Sequence, residues 1–497
     1  MSDPALLAAV QTRFPDLEIA VGGFAQERVW TLSPSNLAQL GEFLRDETTP
    51  RYDLLLDINL IDDQLEYQLV SLSERQRLRL RLPCLPPPHS LAFVWPAANW
   101  LESQLFDLQG VSFQGHPQLG ALFAPTDVPG AGAVWAGERL PTSVNGLCID
   151  LDVDGGVVRR AAPRLGYRRC GLERRLSERP YARGSLLMAR LDASAPFHAD
   201  LAYALAVEAL LGVEAPPRAQ YARAIGAELA RVASHLIWLS GLVQTVAGSI
   251  FAASVYAAQG AQSVRHLFQR LGGNPSLPDI VVPGGLRCDL AAGFERALRD
   301  LSVELEGLLL DLKRMLAANA AFLDGLGGIG VIDPGTALGL GLTGPCLRAT
   351  GIAYDARRSF PYVGYEGLDF EVPVTNNGDA KARFRVRMAE MRASLDLIRQ
   401  LEARLVETEG QPVDAFAPGK LPPTLPEGAI YAGVEAPRGE LGVYLIANGT
   451  CHLAHAFVRG PSLANLSALP LMARDVPLEQ VVTILDSLDV SVGEAER

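Results

Sequence analysis

Between Leu236 and Val264 the chain carries no Asp, Glu, Lys or Arg. An uncharged run of that length either spans a bilayer or lies as a core helix inside a large fold. Ser240, Gln244, Thr245, Ser249 and Ser254 interrupt it, and Gly241 and Gly248 loosen it. It also continues directly from a charged amphipathic segment, Arg223 to His235. These features favour a buried core helix, facing the interior or a membrane partner.

The rest of the chain is large enough to bury such a helix. Its 497 residues correspond to roughly three domains that hide about three quarters of the unfolded surface. Lys plus Arg number 44 against 56 Asp plus Glu, a net charge of −12. Nucleic-acid binding is disfavoured, because it needs a basic footprint. A hydrophobic share of 48% with 20% charged residues excludes a disordered chain. The mean hydropathy of +0.14 is high for a free-standing protein and reads as large buried helices, a partner surface, or both. Six scattered cysteines include no C-x-x-C, so neither a zinc site nor a disulfide framework is expected. No signal peptide is expected either: the N-terminus has no basic segment and no long apolar run. Together these imply a reducing, cytoplasmic setting.

Residues 1–125 read as a small α/β module. Strands are expected at 52–61, 66–72 and 75–82, with a turn at Asp62-Asp63, one wet face on the last strand, and a helix over 97–108. Residues 126–146 are rich in Pro, Gly and Ala and read as a linker. The remainder, 147–497, opens with a hairpin around Asp154-Gly155-Gly156. Helical patterns follow at 198–212, 218–247, 250–272, 290–323 and 379–407. Residues 411–427 form a Pro-rich break, 430–445 and 453–457 are strand-like, and a last helix covers 477–486.

Generic catalytic motifs are missing. There is no G-x-x-x-x-G-K-[ST], no G-x-S-x-G and no dinucleotide fingerprint. Cys451, His452 and His455 read as ordinary strand residues, since 452 and 455 would point to opposite faces. His198 and His235 lie on apolar helical stretches and read as satisfied core or partner-facing histidines. Glu173, Arg174 and Arg175 read as a solvated face. Asp192, just before a long helix, suits a structural Arg–Asp pair at a helix start. On pattern alone this is an α+β protein with a large helical domain.

Particular strings carry more. Residues 201–219, Glu228-Leu-Ala-Arg-Val-Ala-Ser-His-Leu236, Gly341-Leu-Thr-Gly344, Leu347-Arg348-Ala349, Tyr354-Asp355, Phe360-Pro-Tyr362, Gly364-Tyr365, Arg438-Gly-Glu-Leu-Gly442 and the C-terminal Ser487 to Arg497 resemble the family of the complex I D subunit and the [NiFe]-hydrogenase large subunit. Trp95-Pro-Ala-Ala-Asn-Trp100, Phe106-Asp107 and Phe113-Gln-Gly-His-Pro-Gln-Leu119 resemble the complex I C subunit, with Glu102-Ser103-Gln104 in place of that family's Glu-Arg-Glu. A C-like module fused to a D-like domain resembles the large subunits of group 4 membrane-bound hydrogenases. The resemblance implies an α+β fold: a small α/β module, then a long-helix bundle with flanking β-structure.

The resemblance also implies site residues. The family's two nickel-binding C-x-x-C pairs fall on Asp192 and Ala195, and on Ser491 and Glu494, so nickel hydrogenase chemistry is not expected. The quinone-binding His and Tyr of complex I fall on Asn145 and Ala193, and the Asp after its long helix falls on Thr245. Arg190 falls on an Arg beside the partner's iron–sulfur cluster. Glu173, Arg179 and Tyr181 match the same loop, and Asp192 matches an Asp of complex I. Arg190, Asp192 and Glu173 are expected to form a charge network near an electron carrier. Asn145, Ala193, Ser491 and Glu494 are expected to line the former nickel cavity. No metal ligand is expected in this chain. The iron–sulfur cluster belongs to a partner small subunit, beside antiporter-like membrane subunits, and quinone or another acceptor takes the cavity. The implied place is peripheral, on the cytoplasmic face of the membrane. The alternative is a catalytically inactive scaffold subunit of such a complex.

Overall fold

The computed structural model describes residues 4–23, 28–33, 36–123, 133–136, 147–246, 251–272, 280–416 and 420–497. Asn145, with nearly all of the expected linker, lies outside the described residues. The chain divides into two compact units. One comprises Met1–Val128, Arg164–Arg169 and Gly335–Leu342, and the other comprises Pro129–Pro163, Cys170–Pro334 and Thr343–Arg497.

The first unit is built on β1 (Ile19–Gly22), β2 (Val29–Leu32), β3 (Leu54–Ile61), β4 (Gln64–Ser71) and β5 (Gln76–Pro83), in the order β1-β2-β5-β4-β3. Only the β2–β5 pair is parallel. Asp62 and Asp63 both take positive φ, the geometry of a tight hairpin turn. Leu78, Leu80 and Leu82 of β5 point into the core, as their alternation implies. The opposite face is less wet than expected: Arg79 is buried 3.4 Å from Glu66, and Arg81 reaches the same carboxylate at 2.7 Å.

The second unit opens with the expected hairpin, β6 (Leu147–Asp154) and β7 (Val157–Arg164). Its body is a set of long helices: α1 (Pro196–Leu211), α2 (Pro217–Val246), α3 (Phe251–Gly272), α4 (Phe294–Ala317) and α5 (Ala380–Glu407). α2 packs against both α3 and α5. Pro196 begins α1, where its missing N–H costs nothing, and Gly212 closes it at φ 65°. The Asp379 carboxylate caps α5 by accepting from Ala382 N at 2.7 Å. A three-stranded sheet, β8 (Gly428–Ala436), β9 (Gly439–Ala447) and β10 (Leu453–Arg459), is followed by α6 (Leu478–Leu488) and a last turn, Val492–Ala495.

The uncharged stretch is shared between α2 and α3, in line with the separate patterns at 218–247 and 250–272; the two pack against each other, and among the described residues no helix is long and apolar enough to cross a membrane. Two expectations change. The helix expected over 290–323 starts at 294 and stops at 317, because Asn319 caps a new short helix by accepting from Phe322 N at 2.8 Å. The strand-like 430–445 is a hairpin broken at Pro437-Arg438. That break carries Arg438 into the core.

Candidate functional site

Two segments far apart in sequence meet at Arg438. Residues 191–195 lead into α1, and residues 489–495 follow α6. Gly493 packs on Leu191 so closely that a Cβ there would sit 2.2 Å from the Leu191 carbonyl oxygen. The β8–β9 tip enters beside them, and a Cβ on Gly344 (φ 64°) would lie 2.3 Å from the Arg438 carbonyl oxygen. Thr343 Oγ1 accepts from Glu440 N at 3.0 Å, and Asn465 Nδ2 donates to the Arg438 carbonyl at 3.0 Å, which fixes the tip.

The buried Arg438 guanidinium spends its donors here. Nη1 donates to Asp192 Oδ2, Nη2 to Ser194 Oγ at 2.9 Å, and Nε to the Asp489 carbonyl at 2.6 Å. Nη2 also lies 3.3 Å from Asp489 Oδ1. Ser194 completes the ring, donating through Oγ to Asp192 Oδ1 at 2.9 Å. Glu494 accepts from Ser462 Oγ, and Ser462 Oγ accepts from Ser491 N at 2.9 Å. Burial pushes the Glu494 carboxyl up to about 8; Arg438 pulls it down, while Asp192 and Asp489 push it further up. Arg438 thus pairs with two buried carboxylates and acts on Glu494 through space, while Arg387 Nε lies 3.9 Å from the far oxygen of Asp489. Asp192, Ser491 and Glu494 all lie in this buried cluster, and Ala195 is buried next to it.

The expected single network of Arg190, Asp192 and Glu173 is not formed. Asp192 is committed to Arg438. Glu173 accepts from Val458 N at 2.9 Å and from Arg497 Nε at 3.1 Å, tying down the chain's last residue. Arg190 is exposed, and no described carboxylate pairs with it. The physical reason is direction: position 190 ends a helical turn facing out, whereas position 192 turns inward. Ala193 is exposed as well. The four residues expected at the nickel positions, Asp192, Ala195, Ser491 and Glu494, offer two carboxylates, a hydroxyl and a methyl, a set without the soft thiolates that nickel would need. Among the described residues no cluster of His, Cys, Asp or Glu could hold a metal ion.

Comparison with known proteins decides the family. The 49 kDa subunit family of respiratory-chain NADH dehydrogenase matches residues 249–497, and the 30 kDa subunit family matches 30–132. The chain is 36% identical to a NADH-quinone oxidoreductase D subunit of Chloroflexus aurantiacus, over 73% of this chain and 93% of that one. It is 34% identical to the NADH-quinone oxidoreductase D subunit of Citrifermentans bemidjiense, over 73% and 97%. A chain of the membrane-bound sulfane sulfur reductase, an archaeal respiratory membrane complex, superposes with a TM-score of 0.69 at 34% identity, over 73% and 98%. The chain belongs to the family of NADH-quinone oxidoreductase D subunits. It is a core peripheral-arm subunit of a respiratory redox complex of this kind.

This D-type chain also holds a second buried ionic network, between α2, α5 and β8. Arg357 pairs with Glu228 at 2.9 Å and Asp355 at 2.7 Å. Arg348 pairs with Glu390 at 2.8 Å and Glu435 at 2.7 Å, and Glu390 accepts from His235 Nε2 at 2.9 Å. Burial alone would raise Glu228, yet Arg357, Arg231 and the Ser394 and Tyr365 hydroxyls hold it down at about 2. Burial lowers His235 to about 4 against the pull of Glu390. The expectation of satisfied histidines therefore holds for His235 at Nε2. It fails for His198, buried with neither ring nitrogen partnered among the described residues.

Sequence reasoning missed Arg438, Asp489 and Ser462 as site residues. The Arg438-Gly-Glu-Leu-Gly442 string is the signal that could have found the first. Tyr181 is buried and donates to the Pro422 carbonyl, while Arg179 is exposed. Cys451 and His452 lie in the loop before β10, in contact at 3.2 Å, and only His455 is on the strand.

Proposed function

We propose that this chain is the acceptor-side core of the complex, passing electrons from a partner iron–sulfur subunit to quinone or another acceptor at the former nickel position. Residues 1–125 form its C-like module and 147–497 its D-like domain. Antiporter-like subunits anchor the assembly at the cytoplasmic face of the membrane. What supports the reading is the convergence of residues 191–195 and 489–495 on Arg438, with carboxylates and a serine in place of thiolates.

In this reading Asn145, Ala193, Ser491 and Glu494 line the acceptor's place, and Ala193 leaves room for a ring. Asn145 and Ser491 offer hydrogen bonds to a carbonyl oxygen. Glu494, neutral near physiological pH, holds a proton within the centre. Asp192 fixes the Arg438 guanidinium, and Arg190, exposed and unpaired among the described residues, presents a positive charge to the partner's face. Glu173 holds the C-terminal residue in place. A bound quinone would supply the capacity to take up two electrons and two protons.

The test is purification of the tagged chain in mild detergent, with mass spectrometry of the proteins that accompany it. The purified complex is then labelled with a photoreactive quinone analogue. Recovery of an iron–sulfur protein and antiporter-like membrane proteins, with labelled peptides containing Ala193 or Ser491, is the expected result. A chain recovered alone would sink the reading. An intact complex that neither takes label nor reduces quinone would leave the inactive-scaffold alternative.

A further inference from the structure

Asp486 is the buried acid that the ion pairs of the site leave out. It lies in the last turn of α6, 2% exposed, and among the described residues neither carboxyl oxygen has a hydrogen-bond partner of good geometry. Its position is nonetheless fixed, because its backbone carbonyl accepts from Trp238 Nε1 at 2.7 Å. From α2, Thr245 faces the carboxyl, its hydroxyl 3.4 Å from the Gly241 carbonyl. From α5, Arg383 donates to Ser487 Oγ and to the Gly378 and Gly330 carbonyls. Arg387 donates to the Ser487 and Leu488 carbonyls, lies over the Trp238 ring, and has its Nε 3.9 Å from Asp489 Oδ2. Neither guanidinium pairs with Asp486. The helix Leu469–Met472 and the strand Val476–Pro477 bring no charged side chain. On its own helix the facing charge is Asp489, one turn on.

Among the described residues no cation pairs with this buried carboxyl and the Thr245 hydroxyl alone faces it, so ionisation is costly and the group keeps its proton up to about neutral pH. Burial first, and then the Asp489 charge, push Asp486 up to about 7.

We propose that Asp486 is a proton-holding residue of this site, a neutral carboxyl that binds or releases its proton as the charge of the Asp192–Arg438–Asp489 centre changes. This rests on the reading that an acceptor is reduced at that centre. Negative charge gained beside Arg438 draws the guanidinium away from Asp489 and strengthens the field at Asp486. Around neutral pH, where the ionised form is also present, that carboxylate then binds one proton from solvent, forming one O–H bond; loss of the charge releases it. Half-buried Thr245, at the end of α2, marks the path to water.

The test is infrared spectroscopy of the purified complex, following the carbonyl stretch of protonated carboxyls as pH is raised. Asp486→Asn is expected to remove one such band below neutral pH while the complex assembles, since Asn copies the shape of a neutral acid. Asp489→Asn is expected to move that band's titration to lower pH, because the facing negative charge is gone. An unchanged carboxyl spectrum in Asp486→Asn, or an unmoved titration in Asp489→Asn, would overturn the proposal. If Asp486→Asn does not assemble, Asp486→Glu, which keeps the acid, must shift the band. Neither readout needs turnover. Loss of acceptor reduction with the titration intact counts against the acceptor reading, and the converse counts against Asp486.

Discussion

The two buried ionic regions use the same residue types and reach opposite protonation states. Around Arg348 and Arg357, burial is as complete as around Arg438. There, Glu228 is held at about 2, and Arg348 with His235 holds Glu390 low against its burial. Around Arg438, Glu494 is pushed up to about 8. The difference is the ratio of cations to carboxyls. Arg231, Arg348 and Arg357 face Glu228, Asp355, Glu390 and Glu435; burial pushes all four up, and only at Glu435 does it outweigh the arginines. Arg438 faces Asp192, Asp489 and Glu494, helped only at Asp489, where Arg387 Nε lies 3.9 Å from Oδ2. A compensated network is a rigid strut, whereas an undercompensated one stores protons.

The largest expected effect comes from breaking the compensated network. Arg348→Met strands Glu390 and Glu435 in the core and is expected to cost about 4 kcal/mol, as loss of one partner of a buried ion pair does. Denaturant unfolding checks it, and a loss below about 1 kcal/mol would mean that these charges are not buried together. Next comes Glu494→Gln. An acid with a raised folded-state pKa adds stability below its unfolded pKa and loses it as pH rises through the folded value. The wild-type chain should therefore lose stability between the ordinary carboxyl range and about 8. Glu494→Gln should flatten that slope by roughly 3 kcal/mol, shared with Asp192 and Asp489 because the titrations are coupled. Thermal unfolding against pH measures it, and an unchanged slope would remove Glu494 from the proton-storing group.

The sequence announces these regions unequally. Leu298, Leu301, Leu305, Leu308, Leu309 and Leu312 reveal the α4 face, because amphipathic spacing is a local property. The Glu228–His235 string sits on one helix and carries the family resemblance, but its ion pairs reach Arg357 and Glu390, far away in sequence, and show only in the packing. Arg438 stands within a recognisable motif, yet its role depends on a hairpin tip meeting segments that lie hundreds of positions before and dozens after it. Asp486 and His198 show the limit most clearly. Each sits in an ordinary apolar context, and only packing reveals that among the described residues no charge pairs with it. The break at Asn319 is hidden for a simpler reason: leucine periodicity runs on past a residue that prefers to cap.

A smaller effect tests whether the Arg438 centre depends on the close approach of its two segments. Gly493→Ala brings a Cβ against the Leu191 carbonyl, and backbone cannot yield as a side-chain tip can. The expected cost is about 2 kcal/mol, in the range of overpacking, with acceptor reduction falling more than assembly. Equal loss of both would reduce Gly493 to a packing role.

The smallest effect sharpens the comparison from the other unit. Glu102 is buried, accepts from Ser90 Oγ at 2.6 Å and Leu91 N at 2.8 Å, lies 3.7 Å from the His116 ring, whose protonation burial disfavours, and among the described residues pairs with no arginine. Burial lifts it to about 7 against those two donors. If the cation-to-carboxyl ratio governs protonation, neutral donors alone should leave this acid largely protonated in mildly acidic solution. Glu102→Gln, which keeps the acceptor oxygen, should then change stability by less than about 1 kcal/mol in that range, because a neutral group replaces a neutral group. Above neutral pH the variant should become the more stable of the two, since only the wild type gains a buried, unpaired charge. A variant destabilised equally at every pH would mean that Glu102 is ionised throughout, and that hydrogen-bond donors can do for a buried carboxylate what Arg348 and Arg357 do in the other unit.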